Sequence, residues 1–315
     1  MAEKIIDPVS PDLIEKELTR DRLLRTTNKC GNEIYVVDAF NAPNTMREIG
    51  RLREIAFRAS GGGTGKDCDI DSYDTMYPPC RQLILWSPED REIIGGYRFI
   101  LGKDIKIVDG QPRIATSHMF SFSNRFIEEF LPQTIELGRS FVRLEFQSTR
   151  AGVKAIFALD NLWDGLGALT VVHPEIRYLF GKFTMYPSYD RECRDMLLYF
   201  LNLHFPDTDG LARPYYPIAR GDGGGKFAEM FPGKDFREDY RVLNHAIREH
   251  GINIPPLVNA YMGLSPTLRI FGTAINDEFG NVEETGIFLT LSDVYDEKKE
   301  RHINSFHPSE DAPKF

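Results

Sequence analysis

Apolar residues recur along the chain at two spacings, and each predicts a different element. Short apolar runs, several of them alternating with polar residues, predict strands over 33–39, 81–87, 92–101, 135–142, 178–185, 268–275 and 286–291. A three-and-four spacing predicts helices instead. Met46, Ile49, Leu52, Ile55, Ala56 and Phe57 mark one that Asn44 or Thr45 would cap and that ends near Ala59. Gly152 opens a second, apolar around most of its circumference to Leu169 and therefore expected to be deeply buried. Ser188 would cap a third, which Pro206 must end. Further helices are expected over 12–24, 123–130, 237–250 and 256–262, and Asp109-Gly110 signals a tight hairpin. Strand, helix, strand meander, strand, helix, strand, helix and closing hairpin describe an α/β fold: one mixed sheet flanked by helices. The expected organisation is an extension over 1–30, a single domain over 31–296 and a polar tail over 297–315. The stretch 207–256, rich in Gly, Pro and charge, is expected to be a lid-like insertion before the C-terminal hairpin.

The strand over 135–142 breaks its own pattern. It reads Ile-Glu-Leu-Gly-Arg-Ser-Phe-Val, with a carboxylate and a guanidinium inside an apolar alternation and a glycine between them. Side chains three apart on a regular strand point to opposite faces. A bulge at Gly138 would bring Glu136 and Arg139 to one face and interrupt pairing with the neighbouring strand, leaving backbone N–H groups available to a ligand. An ordinary edge-strand ion pair is the alternative.

Composition narrows the chemistry. Of the 315 residues, 42% are hydrophobic and 27% charged, which fits an ordinary globular chain. The net charge of −9 makes nucleic acid an improbable partner. No apolar run is long enough to span a bilayer and the first ten residues lack the features of a signal peptide, so a cytoplasmic location is expected; peripheral contact at the inner membrane is compatible with it. Cys30, Cys68, Cys80 and Cys193 show no paired spacing and are read as reduced thiols. The glycine-rich 60–66 stretch lacks the pattern of a phosphate loop and is rejected as a nucleotide site. Asp67 and Asp69 are read as a solvated turn or a weak cation site.

Several separated points resemble the acyl-homoserine-lactone synthases and their relatives the ornithine-lipid N-acyltransferases, the hemolysin-like group within the acetyltransferase (GNAT) fold. Arg53 and Phe57 stand like that family's first-helix pair, Asp71 and Asp74 like its aspartates, Arg98 like the arginine of its Gly-x-x-Arg strand, and Glu136 with Arg139 like its Glu-x-x-Arg strand. Glu136 to Ser140, Leu162-Trp163, Gly181, and Pro255-Pro256-Leu257 to Tyr261-Met262-Gly263 resemble the acyltransferase branch. The tryptophan that follows the first helix in autoinducer synthases is missing, which argues against S-adenosylmethionine. In Gln147 to Gly152 the acetyl-CoA loop is half present, with Arg150 where its first glycine would stand; Gly152 remains at the helix start, where N–H groups would accept one phosphate. The resemblance thus implies transfer of a (3-hydroxy) fatty acyl group from the phosphopantetheine arm of acyl carrier protein, with acyl-CoA as the other donor. The acceptor would be the amino group of ornithine or glycine, in aminolipid synthesis. Arg143, Arg150 and Lys154 would meet the acidic carrier protein.

The roles follow. Glu136 is the expected base and the bulge N–H groups the expected oxyanion donors. Arg139 would orient Glu136 or grip a carboxylate, Arg98 or Arg53 would fork onto that carboxylate, and Asp71 and Asp74 would receive the ammonium. No metal or resident cofactor is required. Two rivals are a glycerolipid O-acyltransferase, since His204 and Asp209 satisfy a His-x-x-x-x-Asp spacing, and a non-catalytic hemolysin-like binding protein.

Overall fold

The computed structural model describes residues 2–147, 153–219, 221 and 223–308. In chain order its elements are α1 (Pro11–Glu17), β1 (Leu23–Thr26), β2 (Glu33–Val37), α2 (Pro43–Ala59), α3 (Ser72–Thr75), β3 (Arg81–Ser87), β4 (Glu92–Leu101), β5 (Ile107–Val108), β6 (Gln111–Pro112) and β7 (Phe120–Phe122). A π turn over Phe126–Phe130 stands where a short helix is expected, and it leads to β8 (Thr134–Val142). There follow α4 (Val153–Val172), β9 (Tyr178–Met185), α5 (Arg191–His204), β10 (Ala212–Pro214), α6 (Lys226–Met230), α7 (Phe236–Glu249), α8 (Pro256–Met262), β11 (Arg269–Asn276), β12 (Val282–Thr290) and α9 (Asp296–His302). The chain is α/β and divides into two compact units.

The first unit comprises residues 1–105, 132–177 and 295–315. Its strands lie in the order β1-β2-β3-β4-β8, each antiparallel to its neighbour. Alternation along β3 shows how both faces of this sheet are covered. Gln82 accepts a hydrogen bond from Arg53 of α2, whereas Leu83 lies so close to Gly165 of α4 that a Cβ there would stand 2.8 Å from it. A glycine is therefore required for α4 to rest on the sheet. The second unit comprises 106–131 and 178–294, with β9-β12-β11 antiparallel, β7 paired with β10, and β5 with β6 around the expected Asp109-Gly110 turn. Phe122, Phe126, Phe180, Phe271 and Phe288 form its aromatic core, with ring centroids 5.0–6.1 Å apart.

Several local expectations change for identifiable reasons. Neither Asn44 nor Thr45 caps α2; instead the Glu17 carboxylate of α1 accepts from the N–H groups of both, at 3.0 and 2.7 Å. Asp190, not Ser188, caps α5 by accepting from the Cys193 N–H at 2.9 Å. The helix expected over 12–24 ends at Glu17, and the chain passes through a 3-10 turn at Arg20–Arg22 into β1. In the expected polar tail, α9 docks on α4 through buried His302, whose Nδ1 is 2.8 Å from Asp164 Oδ1. No helix among the described residues is long and apolar enough to cross a membrane.

Candidate active site

The site is built around β8. Gly138 of β8 pairs with Arg98 of β4 and Phe141 with Gly96, so Arg139 and Ser140 together stand opposite the single residue Tyr97. This is a bulge, and its left-handed residue is Arg139, at φ 48°. A non-glycine residue costs about 1–2 kcal/mol there, so the surrounding contacts must hold it. The distortion thus falls one residue beyond the glycine that signalled it. Gly138 has no positive φ; a Cβ added to it would meet one described atom within 4 Å, Glu136 Oε1 at 4.0 Å.

Arg139 leaves the bulge toward the 67–74 stretch. Its Nε is 2.9 Å from Asp69 Oδ2 and its Nη2 3.5 Å from Asp71 Oδ2. Arg98 Nη1 donates to Asp71 Oδ2 at 2.7 Å and lies 3.3 Å from Asp74 Oδ2. Arg53 Nη1 lies 3.4 Å from Asp74 Oδ1, while its Nη2 donates to Gln82, whose own Nε2 donates to Asp74 Oδ1 at 2.9 Å. The two aspartates are fixed to each other as well. Asp71 accepts from the N–H groups of Tyr73 and Asp74, and Asp74 Oδ2 accepts from the Asp71 N–H, which makes α3 a capping box. The Tyr73 ring lies 5.6 Å from the Arg98 guanidinium.

Three guanidinium groups and three aspartates therefore interlock beside Glu136. Glu136, Arg53, Arg98, Asp69 and Asp74 are all at most 2% exposed, whereas the side chains of Arg139 and Asp71 keep 13% and 24% of their surface. A ligand could reach those two first. Burial by itself would raise the Asp71 carboxyl, but Arg98 and Arg139 outweigh it and hold it at about 2. Burial lowers the Arg53 pKa against the pull of Asp74 and Asp69. For Arg98, Asp74 and Asp71 overcome burial and leave its pKa well above the ordinary value.

The structure brings together Arg53, Asp71, Asp74, Arg98, Glu136 and Arg139; Phe57 is buried one turn along α2 from Arg53. Asp69 was not expected here. Read as part of a solvated turn or weak cation site, it is instead fully buried against Arg139, while Asp67 is exposed. Gln82 was missed, although alternation in its strand places it on the face opposite Leu83. Cys80 was missed too: burial pushes its thiol far up, and Arg98 pulls the other way. Arg143 ion-pairs with Glu92 and, at 3.3 Å, with Glu145. Arg150, Gly152 and the Lys154 side chain lie outside the described residues.

Two other candidates resolve into structure. The N–H groups of Thr64 and Gly65, in the rejected glycine-rich loop, bind the buried Glu54 carboxylate at 3.0 and 2.8 Å. The loop thus encloses the protein's own anion. His204 Nε2 is 2.9 Å from Asp239 Oδ2, while Asp209 is held by Arg269 at 2.5 Å and Arg125 at 3.1 Å, so the His-x-x-x-x-Asp spacing does not form a dyad. Asp190, Cys193 and His250 could offer ligand atoms to a metal ion, all within 4.8 Å of one another. Asp190 already caps α5.

Residues 52–155 match the acetyltransferase (GNAT) domain family. A glycine Nα-acyltransferase of Bacteroides thetaiotaomicron is 61% identical over 310 residues, covering 97% of this chain and 92% of that protein. One of Phocaeicola vulgatus is 57% identical over 310 residues, covering 97% and 95%. Among solved structures, a CoA-dependent acyl-homoserine lactone synthase, BjaI, with SAM and isopentyl-CoA is similar at 13% identity and a TM-score of 0.38, covering 90% of this chain and 97% of that one.

Proposed function

The chain belongs to the glycine Nα-acyltransferase family, and from that premise we propose that this N-acyltransferase moves a fatty acyl group from a thioester to the amino group of glycine, with Glu136 as base. The observation that carries the catalytic assignment is a buried carboxylate on a bulged strand, alongside the open side of Gly138 and next to a lattice of three arginines and three aspartates. Acceptors with a larger side chain, ornithine among them, rank below glycine because both relatives carry the glycine name.

The roles follow from accessibility. Arg139, partly exposed, receives the acceptor carboxylate, and Asp71 steers the ammonium, which gives its first proton to solvent to leave the neutral amine. Arg53 and Arg98 have their guanidinium groups engaged with Asp74 and Asp71 and serve acceptor binding by holding those carboxylates in place. Phe57 supports Arg53 from the same helix. Glu136 takes a proton from the amine as its nitrogen attacks the thioester carbonyl. Backbone N–H groups of the bulge stabilise the oxygen as it gains charge. The tetrahedral centre then collapses: the C–S bond breaks, the amide remains, and the departing sulfur takes the proton that Glu136 held, leaving as the free thiol and restoring the carboxylate.

The donor is the phosphopantetheine arm of acyl carrier protein, with acyl-CoA the alternative bearing the same arm. Arg143, Arg150 and Lys154 are assigned to recognition of the carrier protein, and Gly152 to its phosphopantetheine arm. The test is release of free thiol from acyl carrier protein and from acyl-CoA, with glycine or ornithine, together with mass measurement of the product. Glycine-dependent thiol release with an N-acylglycine product is expected. Thiol release that ignores both amino acids would remove the reading.

A further inference from the structure

We propose that Gly138 seats the acceptor: the open space beside its Cα, bounded by the Glu136 carboxylate, takes the acceptor's α-carbon and limits how bulky the acceptor can be. This deepens the function proposed above and rests on it.

The argument starts from what other glycines in the same sheet do. A Cβ on Gly95 would lie 2.5 Å from Phe141 O, and one on Gly96 would lie 2.7 Å from Leu83 O. Those two are required by backbone that passes too close for a side chain. Gly138 has no such neighbour, and its φ is not in the left-handed region that favours glycine. Inside a strand, a glycine with neither requirement weakens the element, since it contributes no side chain to packing and loses the most chain freedom. The fold would accept alanine there.

Chemistry supplies the reason that packing does not. An amine delivering its proton to Glu136 must bring its nitrogen to about 2.6–3.2 Å from a carboxylate oxygen. A methyl group 4.0 Å from Oε1 would narrow the approach of that nitrogen, and of the carbon bonded to it, to the carboxylate across Gly138. The next residue, Arg139, turns in the left-handed region and leads its guanidinium to Asp69 and Asp71, out of the same space. Base, open position and turned arginine thus lie within four residues of one strand, Glu136 to Arg139.

The experiment compares the full chain with Gly138→Ala and Gly138→Ser, using acyl-pantetheine as donor and glycine, alanine and ornithine as acceptors. Four quantities are read: kcat/KM for each acceptor, KM for the donor, donor hydrolysis without acceptor, and Tm. One added methyl group should lower kcat/KM for glycine roughly 10- to 200-fold. Donor KM, hydrolysis and Tm should stay at wild-type values, because water is small enough to pass the methyl. The wild type should itself rank glycine above alanine and alanine above ornithine, a measurement that needs no variant. Near-normal glycine kinetics in Gly138→Ala, losses shared equally by donor KM and hydrolysis, or a wild type that accepts ornithine as well as glycine would each overturn the inference. A wild type that acylates no amino acid defeats the function itself, whereas an active wild type, an inactive Glu136→Gln and a normal Gly138→Ala defeat only the seat.

Discussion

Two buried clusters of acids and bases invite comparison: the lattice beside β8 and the pair His204–Asp239 of the second unit. Both hold an ionisable side chain against a carboxylate at hydrogen-bond distance. They differ in where the remaining surface lies. In the first, three arginines and three aspartates neutralise one another, yet Asp71 and Arg139 keep part of their surface and Glu136 borders the open side of Gly138. In the second, His204 packs against the Phe200 and Phe236 rings, with centroids at 4.5 and 5.4 Å, and Asp239 also accepts from the Gly233 N–H at 2.9 Å. Its polar atoms bind one helix to another. Proximity of an acid to a base is common to both; the function proposed above uses the first, where Asp71 and Arg139 keep 24% and 13% of their side-chain surface.

That contrast can be broken or sharpened by experiment. Glu136→Gln should reduce turnover by two to four orders of magnitude, roughly, without lowering Tm, and the acidic limb of the rate profile should disappear from the residual activity. Normal turnover would transfer the base assignment to Asp71 or Asp74. Arg98→Ala should cost about 3–5 kcal/mol in denaturant unfolding, because Asp74 and most of Asp71 would remain buried without their shared cation. Asp71 gives a smaller effect with a defined sign. Its folded pKa of about 2 lies below the ordinary 3.8, so its contribution of about 2 kcal/mol is complete above roughly pH 4 and is lost as the pH falls toward 2. Asp71→Asn should flatten the stability curve in that window. The smallest effect belongs to the other cluster: His204→Ala should cost about 1 kcal/mol, since Asp239 keeps the Gly233 N–H, with turnover per folded molecule unchanged. Lost turnover at unchanged stability would return the His204 site to the chemistry.

The same contrast explains what was legible in the sequence. The five lattice residues anticipated, Arg53, Asp71, Asp74, Arg98 and Arg139, converge beside Glu136 because strand alternation and helix spacing fix which faces they occupy, and their types match a known pattern. Asp69 was hidden because its neutralising partner arrives from a different strand. Carboxylates spaced two apart look the same whether water or an arginine surrounds them. The bulge was foreseen, but its left-handed residue was not, because sequence rules assign that conformation to glycine and here tertiary contacts impose it on Arg139. Short elements escaped for a related reason: β1 and α9 contain too few residues for periodicity and are specified by what they dock against. His204 with Asp209 shows the reverse error, a spacing without a structure.

The carboxylate of Glu17 has a reach that its position conceals. It accepts four hydrogen bonds, from the N–H groups of Asn44 and Thr45 and from both of their side chains, at 2.7–3.0 Å. Earlier in the chain, Val9 N–H donates to Glu48, and Glu3 bonds to Gly65 and Arg58. The opening residues therefore lie along α2 and close its first turn, and α2 is the helix that delivers Arg53 to Asp74. Trimming the chain before residue 20, a routine way to shorten a protein for crystallisation, would unfasten the helix from its start and be felt at the lattice. The stretch expected only to extend the domain is thus a clasp on the helix that carries Arg53.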